Sequence, residues 1–241
     1  MEKVFKFSNK SIVFSVILVL VSLIISVSIG AAEISTDEIV GIFLREILGY
    51  QSNTEINNIN KIIILEWRLP RFCLGFLVGA SLAIAGCGFQ GVFKNPLADP
   101  FLLGSAAGAG LGVTLVIVND LNYSFGIINS VQLGAFIGAL GAVICAAFIS
   151  ISAGKSIASL LLAGIATAAF LTACQTYLMH KYYSSMQEIY SWIIGRLLTS
   201  GWEDVITILP YFTVCFIIIF LFRKELDLLR LSEDEAKMLG G

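Results

Sequence analysis

The chain has 241 residues, of which 57% are hydrophobic and only 13% charged, with a formal net charge of −2. That balance excludes a conventional soluble domain with a solvated charged surface, and no nucleic-acid partner is expected. Stretches free of Asp, Glu, Lys, Arg and His run from Ser11 to Ala32, Phe72 to Phe93, Pro100 to Asn119, Leu121 to Gly154, Ser156 to Met179 and Val205 to Phe222. About 20 apolar residues cross a bilayer as a helix, and a charge at its centre costs roughly 2.5 to 3.5 kcal/mol, so each stretch reads as a membrane span in contact with lipid.

The first run follows lysines, but its apolar core exceeds that of a signal peptide, so it reads as a retained helix. After it, residues 33–66 form an extracytoplasmic segment. Within it, "STDEIVGIFLREILGY" offers Ser35 to Asp37 as a helix cap and an apolar stripe of Ile39, Ile42, Phe43, Ile47 and Leu48. That predicts an amphipathic helix at the membrane surface, with an ordinary loop as the equal alternative, and "QSNTEINNIN" reads as polar loop. Arg68 and Arg71 flank Pro70 and mark the start of the second span, where they snorkel to headgroups or line a polar cavity.

The second span should end near Phe93, because Asn95 precedes Pro96 and a residue before proline is driven out of the helical region. Asp99 suits an N-cap and Pro100 a first turn, which predicts a tight reversal and a new helix from Pro100 towards Val118. Gly75 and Gly79, then Gly104, Gly108 and Gly112, then Gly134 and Gly138 recur at four-residue spacing, as helix faces that pack closely do. No GK[ST] phosphate loop follows a strand, so ATP binding by this chain is not expected.

Beyond the fifth run, Tyr182, Tyr183, Tyr190, Trp192 and Trp202 suit an interfacial belt, and Ile189, Ile193 and Leu197 form a helical stripe. His180, the only histidine, makes a poor metal site, and the five cysteines fall singly without CxxC spacing, so no metal or cofactor is expected. At the end of the chain, Ser232 and Glu235 form a capping box that predicts a short helix from Glu233 to Leu239, with Ala236 and Leu239 on one face. Six spans put both termini on one side. Nine basic residues then lie inside against six outside, which favours cytoplasmic ends.

Several of these pieces belong to one ordered pattern. "RLPR" at 68–71, "GASLAIAG" from Gly79 to Gly86, Gln90, "KNPLADPFLLG" from Lys94 to Gly104, and later "LLLAGIA", "WIIGRLLTSGWEDV" and "LSEDEAKMLG" resemble the permease subunits of binding-protein-dependent ABC importers for iron-siderophores, haem and cobalamin. Lys94 stands where that family usually has Arg, and Ala85 replaces its usual Ser. The family typically has about ten spans, so the resemblance implies an all-α polytopic transmembrane bundle with about six spans here, truncated at its C-terminus. The chain reads as one permease domain over 1–241, with residues 223–241 as the cytoplasmic coupling segment.

What the resemblance implies is a transport subunit without bond chemistry, in a bacterial plasma membrane. Its partners would be a second permease subunit, the same or different, cytoplasmic ATPase subunits and an extracytoplasmic binding protein. Motif and pathway candidates are Arg68, Pro70, Arg71, Gly79, Gly86, Gln90, Lys94, Asn95, Pro96, Leu97, Ala98, Pro100, Gly104, Trp192 and Gly195. ATPase-docking candidates are Ser232, Glu233, Glu235, Ala236, Leu239 and Gly240. The cargo reads as an iron(III)-siderophore or related iron compound, with haem or cobalamin as alternatives. A non-functional truncated fragment is a further reading. An intramembrane enzyme is disfavoured, because the spans hold no paired carboxylates, His cluster or Ser/Lys arrangement.

Overall fold

The computed structural model describes residues 9–49, 56–96, 98–121, 123–126, 128–195, 197 and 200–230. The expected docking helix at 232–239 and Leu97 lie outside them. Among the described residues the fold is all-α apart from a two-residue antiparallel pair, Ser124–Phe125 (β1) with Ile128–Asn129 (β2). The chain divides into two compact units, 1–76 with 197–205 and 77–196 with 206–241.

In the first unit, α1 (Asn9–Ser28) is followed by α2 (Thr36–Leu48), which Ser35 caps by accepting a hydrogen bond from the Glu38 amide at 3.3 Å. Gly49, at φ +66°, closes α2 in the left-handed conformation that glycine adopts without a Cβ clash. Ile39 and Ile42 of α2 are buried with Val27 and Ile64, so the central part of the apolar stripe covers the unit's own core. Asn57 caps α3 (Asn58–Ile62), and the Glu38 carboxylate accepts from the Asn57 amide at 2.9 Å and the Asn60 side chain at 2.8 Å. The end of the expected polar loop is therefore helical. A wide turn, Ile63–Arg68, then leads into α4 (Leu69–Phe93), giving one helical run from Asn58 to Phe93. Pro70 cannot donate to the ladder and its ring crowds the preceding turn, and widening that turn lets the helix pass through it instead of starting there. Trp202, opening α9 (Trp202–Leu221), donates its indole N–H to the Leu65 carbonyl at 2.9 Å.

In the second unit, α5 (Ser105–Val118), α6 (Ser130–Ser152) and α7 (Ile157–Lys181) pack together, and α8 (Met186–Ile194) rests on α5 and α7. Asn129 starts α6 with a capping box to Gln132, and Ser156 caps α7. Glycines on facing stripes allow the α5–α6 approach: a Cβ on Gly108 would collide with the Gly138 carbonyl, and one on Gly112 with the Gly134 carbonyl. By contrast, a Cβ on Gly75 or Gly79 of α4 would meet nothing within 4 Å. Among the described residues, five helices are long and apolar enough to cross a membrane, and a sixth apolar helix, α5, is shorter. The third expected span is interrupted. A 3-10 turn, Pro100–Leu103, stops at Gly104, and the 14-residue α5 that follows is about 21 Å long. After α9, a short amphipathic helix, α10 (Arg223–Arg230), continues the chain.

Candidate functional site: two motif clusters

The arginine-proline motif sits in the first unit, where the wide turn delivers Arg68 onto the end of α1. The last carbonyls of a helix have no partners within it. Arg68, only 7% exposed, donates from Nη1 to the carbonyls of Val27 and Ser28, the latter at 3.3 Å, and from Nη2 to that of Ala32. A cation beside the negative end of the helix dipole adds to those hydrogen bonds. Gly30 makes room for the side chain, since a Cβ there would lie 2.7 Å from Nη2. Pro70 is fully buried beside it.

Arg71 behaves differently. Its guanidinium lies 5.5 Å from the centroid of the Trp67 ring, and its buried Nε has no hydrogen-bond partner. Together with Ser26, Ala31, Trp67 and Arg68 it lines a hollow of about 460 Å³. The two arginines thus divide into a clamp that holds the chain and a cation bordering a cavity.

The "KNPLADPFLLG" motif is built in the second unit. Lys94 ends α4 in the left-handed region at φ +51°. The Ala98 amide then donates to the Asn95 carbonyl at 3.1 Å, closing a turn over Pro96 and burying Ala98. Asp99 adopts the extended N-cap conformation, and its carboxylate accepts from the Phe101 amide at 2.8 Å with Pro100 in the first turn. The expected cap is therefore present, but it opens the 3-10 turn and not a helix reaching Val118. Gly104, at φ +80°, separates the two, and a Cβ on it would stand 3.3 Å from both the Gly164 carbonyl and the Ala168 amide. Reciprocally, a Cβ on Gly164 would strike the Leu102 carbonyl. The "FLLG" end of one motif is thus seated on the "LLLAGIA" segment of α7, a pairing that no local pattern discloses.

Gln90, Lys94, Asn95 and Pro96 surround a polar hollow of about 270 Å³. Gly86 stands apart from such contacts, as a Cβ on it would meet nothing within 4 Å. Ile189 of α8 is fully buried, whereas Ile193 in that helix and Leu197 beyond it are exposed, so the expected three-residue stripe reduces to one anchor. Gly195 ends that helix at φ +104° and ψ 144°, a region reserved for glycine, and Trp192 in the last turn is half-buried. The docking candidates Ser232, Glu233, Glu235, Ala236, Leu239 and Gly240 lie outside the described residues.

The model of the FecCD transport family matches residues 18–241. The Fe(3+)-citrate import system permease protein YfmE of Bacillus subtilis is 36% identical over 231 residues, covering 95% of this chain and 65% of its own length. The molybdate import system permease protein MolB of Haemophilus influenzae is 32% identical, covering 97% of this chain and 68% of its own length. A solved metal-chelate type ABC transporter, in an inward-facing conformation, superimposes with a TM-score of 0.75 at 27% identity, covering 96% of this chain and 68% of that one. Among the curated relatives it matches, the chain spans 63% to 65% of the length of the first three. Matched in sequence over nearly its whole length and in the helical arrangement on which both motif clusters depend, the chain belongs to the FecCD transport family.

Proposed function

We propose that the chain acts as the transmembrane permease subunit of a binding-protein-dependent ABC importer in a bacterial plasma membrane, with an iron(III) chelate as cargo. The observation that carries this reading is the family match over residues 18–241. The Fe(3+)-citrate relative and the metal-chelate structural neighbour support the cargo class. The molybdate relative favours a second reading, an oxyanion cargo. In either case the chain breaks no bond. Its task is to present gates whose positions follow ATP binding on a separate subunit, which is a coupling between distant sites.

In this reading residues 232–239 face the cytoplasm and dock in a groove of the ATPase. Purifying the tagged protein from membranes of cells that co-express the partner ATPase tests this. Glu235→Ala combined with Leu239→Ala is expected to reduce ATPase recovery about tenfold, the loss of roughly 1.4 kcal/mol of binding. Undiminished recovery with the double variant removes the docking role.

A further inference from the structure

The widened turn before Pro70 denies one carbonyl its partner within the helix. Over Ile63–Arg68 the ladder is stretched, and the Leu69 amide donates to the Ile64 carbonyl, five residues back. At the same spacing the Leu65 carbonyl faces position 70, where Pro70 has no N–H to offer. A backbone carbonyl away from water that finds no donor costs about as much as a lost hydrogen bond. The indole N–H of Trp202 meets it at 2.9 Å, from 137 residues further along the chain. An indole nitrogen only donates, so it suits a carbonyl whose own donor is missing.

Local chemistry aims that indole. Trp202 is the first residue of α9, and the Asp204 carboxylate accepts from the Gly201 amide at 3.3 Å, as the returning half of a capping box does. Glu203 and Asp204 also set negative charge at the positive end of the helix. The entry of α9 is thus fixed beside the wide turn, within one compact unit. What the turn carries is Arg68. If it tightened to α geometry, the residues on either side would rotate by about 100° relative to one another, and the guanidinium would leave the carbonyls of Val27, Ser28 and Ala32. We propose that Trp202 is a positioning residue for the arginine-proline motif. Its indole N–H supplies the donor that Pro70 lacks, so the first turn of α9 holds the wide turn that delivers Arg68 to α1. The "RLPR" and "SGWEDV" motifs are then two halves of one joint. This assignment goes beyond the transport reading and does not depend on it.

Trp202→Phe and Pro70→Ala, singly and together in the full chain in detergent, test the assignment by thermal unfolding followed with circular dichroism. Trp202→Phe is expected to lower the midpoint by about 4 °C, because it leaves the Leu65 carbonyl unpaired. In the Pro70→Ala background residue 70 brings its own N–H, and the same substitution should lower the midpoint less than half as much. The loss of ring volume is common to both backgrounds and cancels in the comparison. Equal shifts in the two backgrounds overturn the role of the indole as the missing donor. Arg68→Gln is expected to lower the midpoint less in Trp202→Phe than in the parent protein, since the clamp is already displaced. Additive shifts there reduce Trp202 to a packing residue and overturn the positioning role. Proton exchange at the three indoles, followed by nitrogen-15 NMR of the parent protein, needs no variant to fold. Trp202 should exchange about tenfold more slowly than Trp67, which is exposed. Exchange as fast as that of Trp67 overturns the hydrogen bond on which the assignment stands.

Discussion

Gly138→Ala is expected to destabilise the protein by about 3 kcal/mol or more, while Gly79→Ala stays within about 0.5 kcal/mol of the parent. A Cβ on Gly138 would overlap the Gly108 carbonyl oxygen and stand 2.9 Å from its carbon and 3.1 Å from the Gly112 Cα. Those obstacles are backbone atoms of a neighbouring helix, so no rotamer change relieves them. The helices must separate, and α5 then loses its seat against Ala142 and the stripe of α6. Gly79 belongs to the same residue type in an equally apolar helix, but it has open space where its side chain would grow. Thermal unfolding of the two variants in one detergent, followed by tryptophan fluorescence, separates the cases. A Gly138→Ala protein with the parent's midpoint would show that the close α5–α6 approach is dispensable.

The second large effect belongs to Arg68. Substitution by Gln is expected to cost about 3 kcal/mol, since hydrogen bonds from a charged donor contribute roughly 1.5 to 3 kcal/mol each and the shorter Gln amide can replace at most one of the three. Lysine keeps the charge without the planar fork, so Arg68→Lys should recover only part of the loss. Gly30→Ala tests the geometry from the other side, because its Cβ would displace a guanidinium that the same carbonyls hold in place. It should cost about 1 kcal/mol with Arg68 present and close to nothing in the Arg68→Gln background, a coupling readable in a double-mutant cycle. Additive losses would mean that Gly30 and Arg68 act independently.

These two effects also mark what the sequence disclosed. Features set within a few residues were legible: Ser35 as a cap, the end of α4 at Phe93 and the Asp99–Pro100 turn all follow from local backbone chemistry. The four-residue glycine spacing pointed to packing faces, but it could not distinguish Gly138, which touches a backbone, from Gly79, which touches nothing. Arg68 reads as a snorkelling or cavity residue, because its partners lie 36 to 41 residues earlier in the chain. The interruption at Gly104 was hidden by an uncharged run that hydropathy alone joins into one span, although what demands glycine there is its φ of +80° together with the backbone of α7. Likewise α10 is eight residues long and carries mostly charge, so hydropathy alone does not mark it.

Transport by this chain is read directly in uptake of its cargo. Cells in which the gene is deleted are compared with complemented cells for accumulation of radiolabelled ferric citrate and of molybdate, with and without depletion of ATP. ATP-dependent ferric citrate accumulation that is lost on deletion and restored by the parent gene, but not by the Gly138→Ala variant, is the predicted result. Loss of molybdate uptake alone would transfer the cargo to the oxyanion class. Unchanged accumulation of both would contradict the permease assignment.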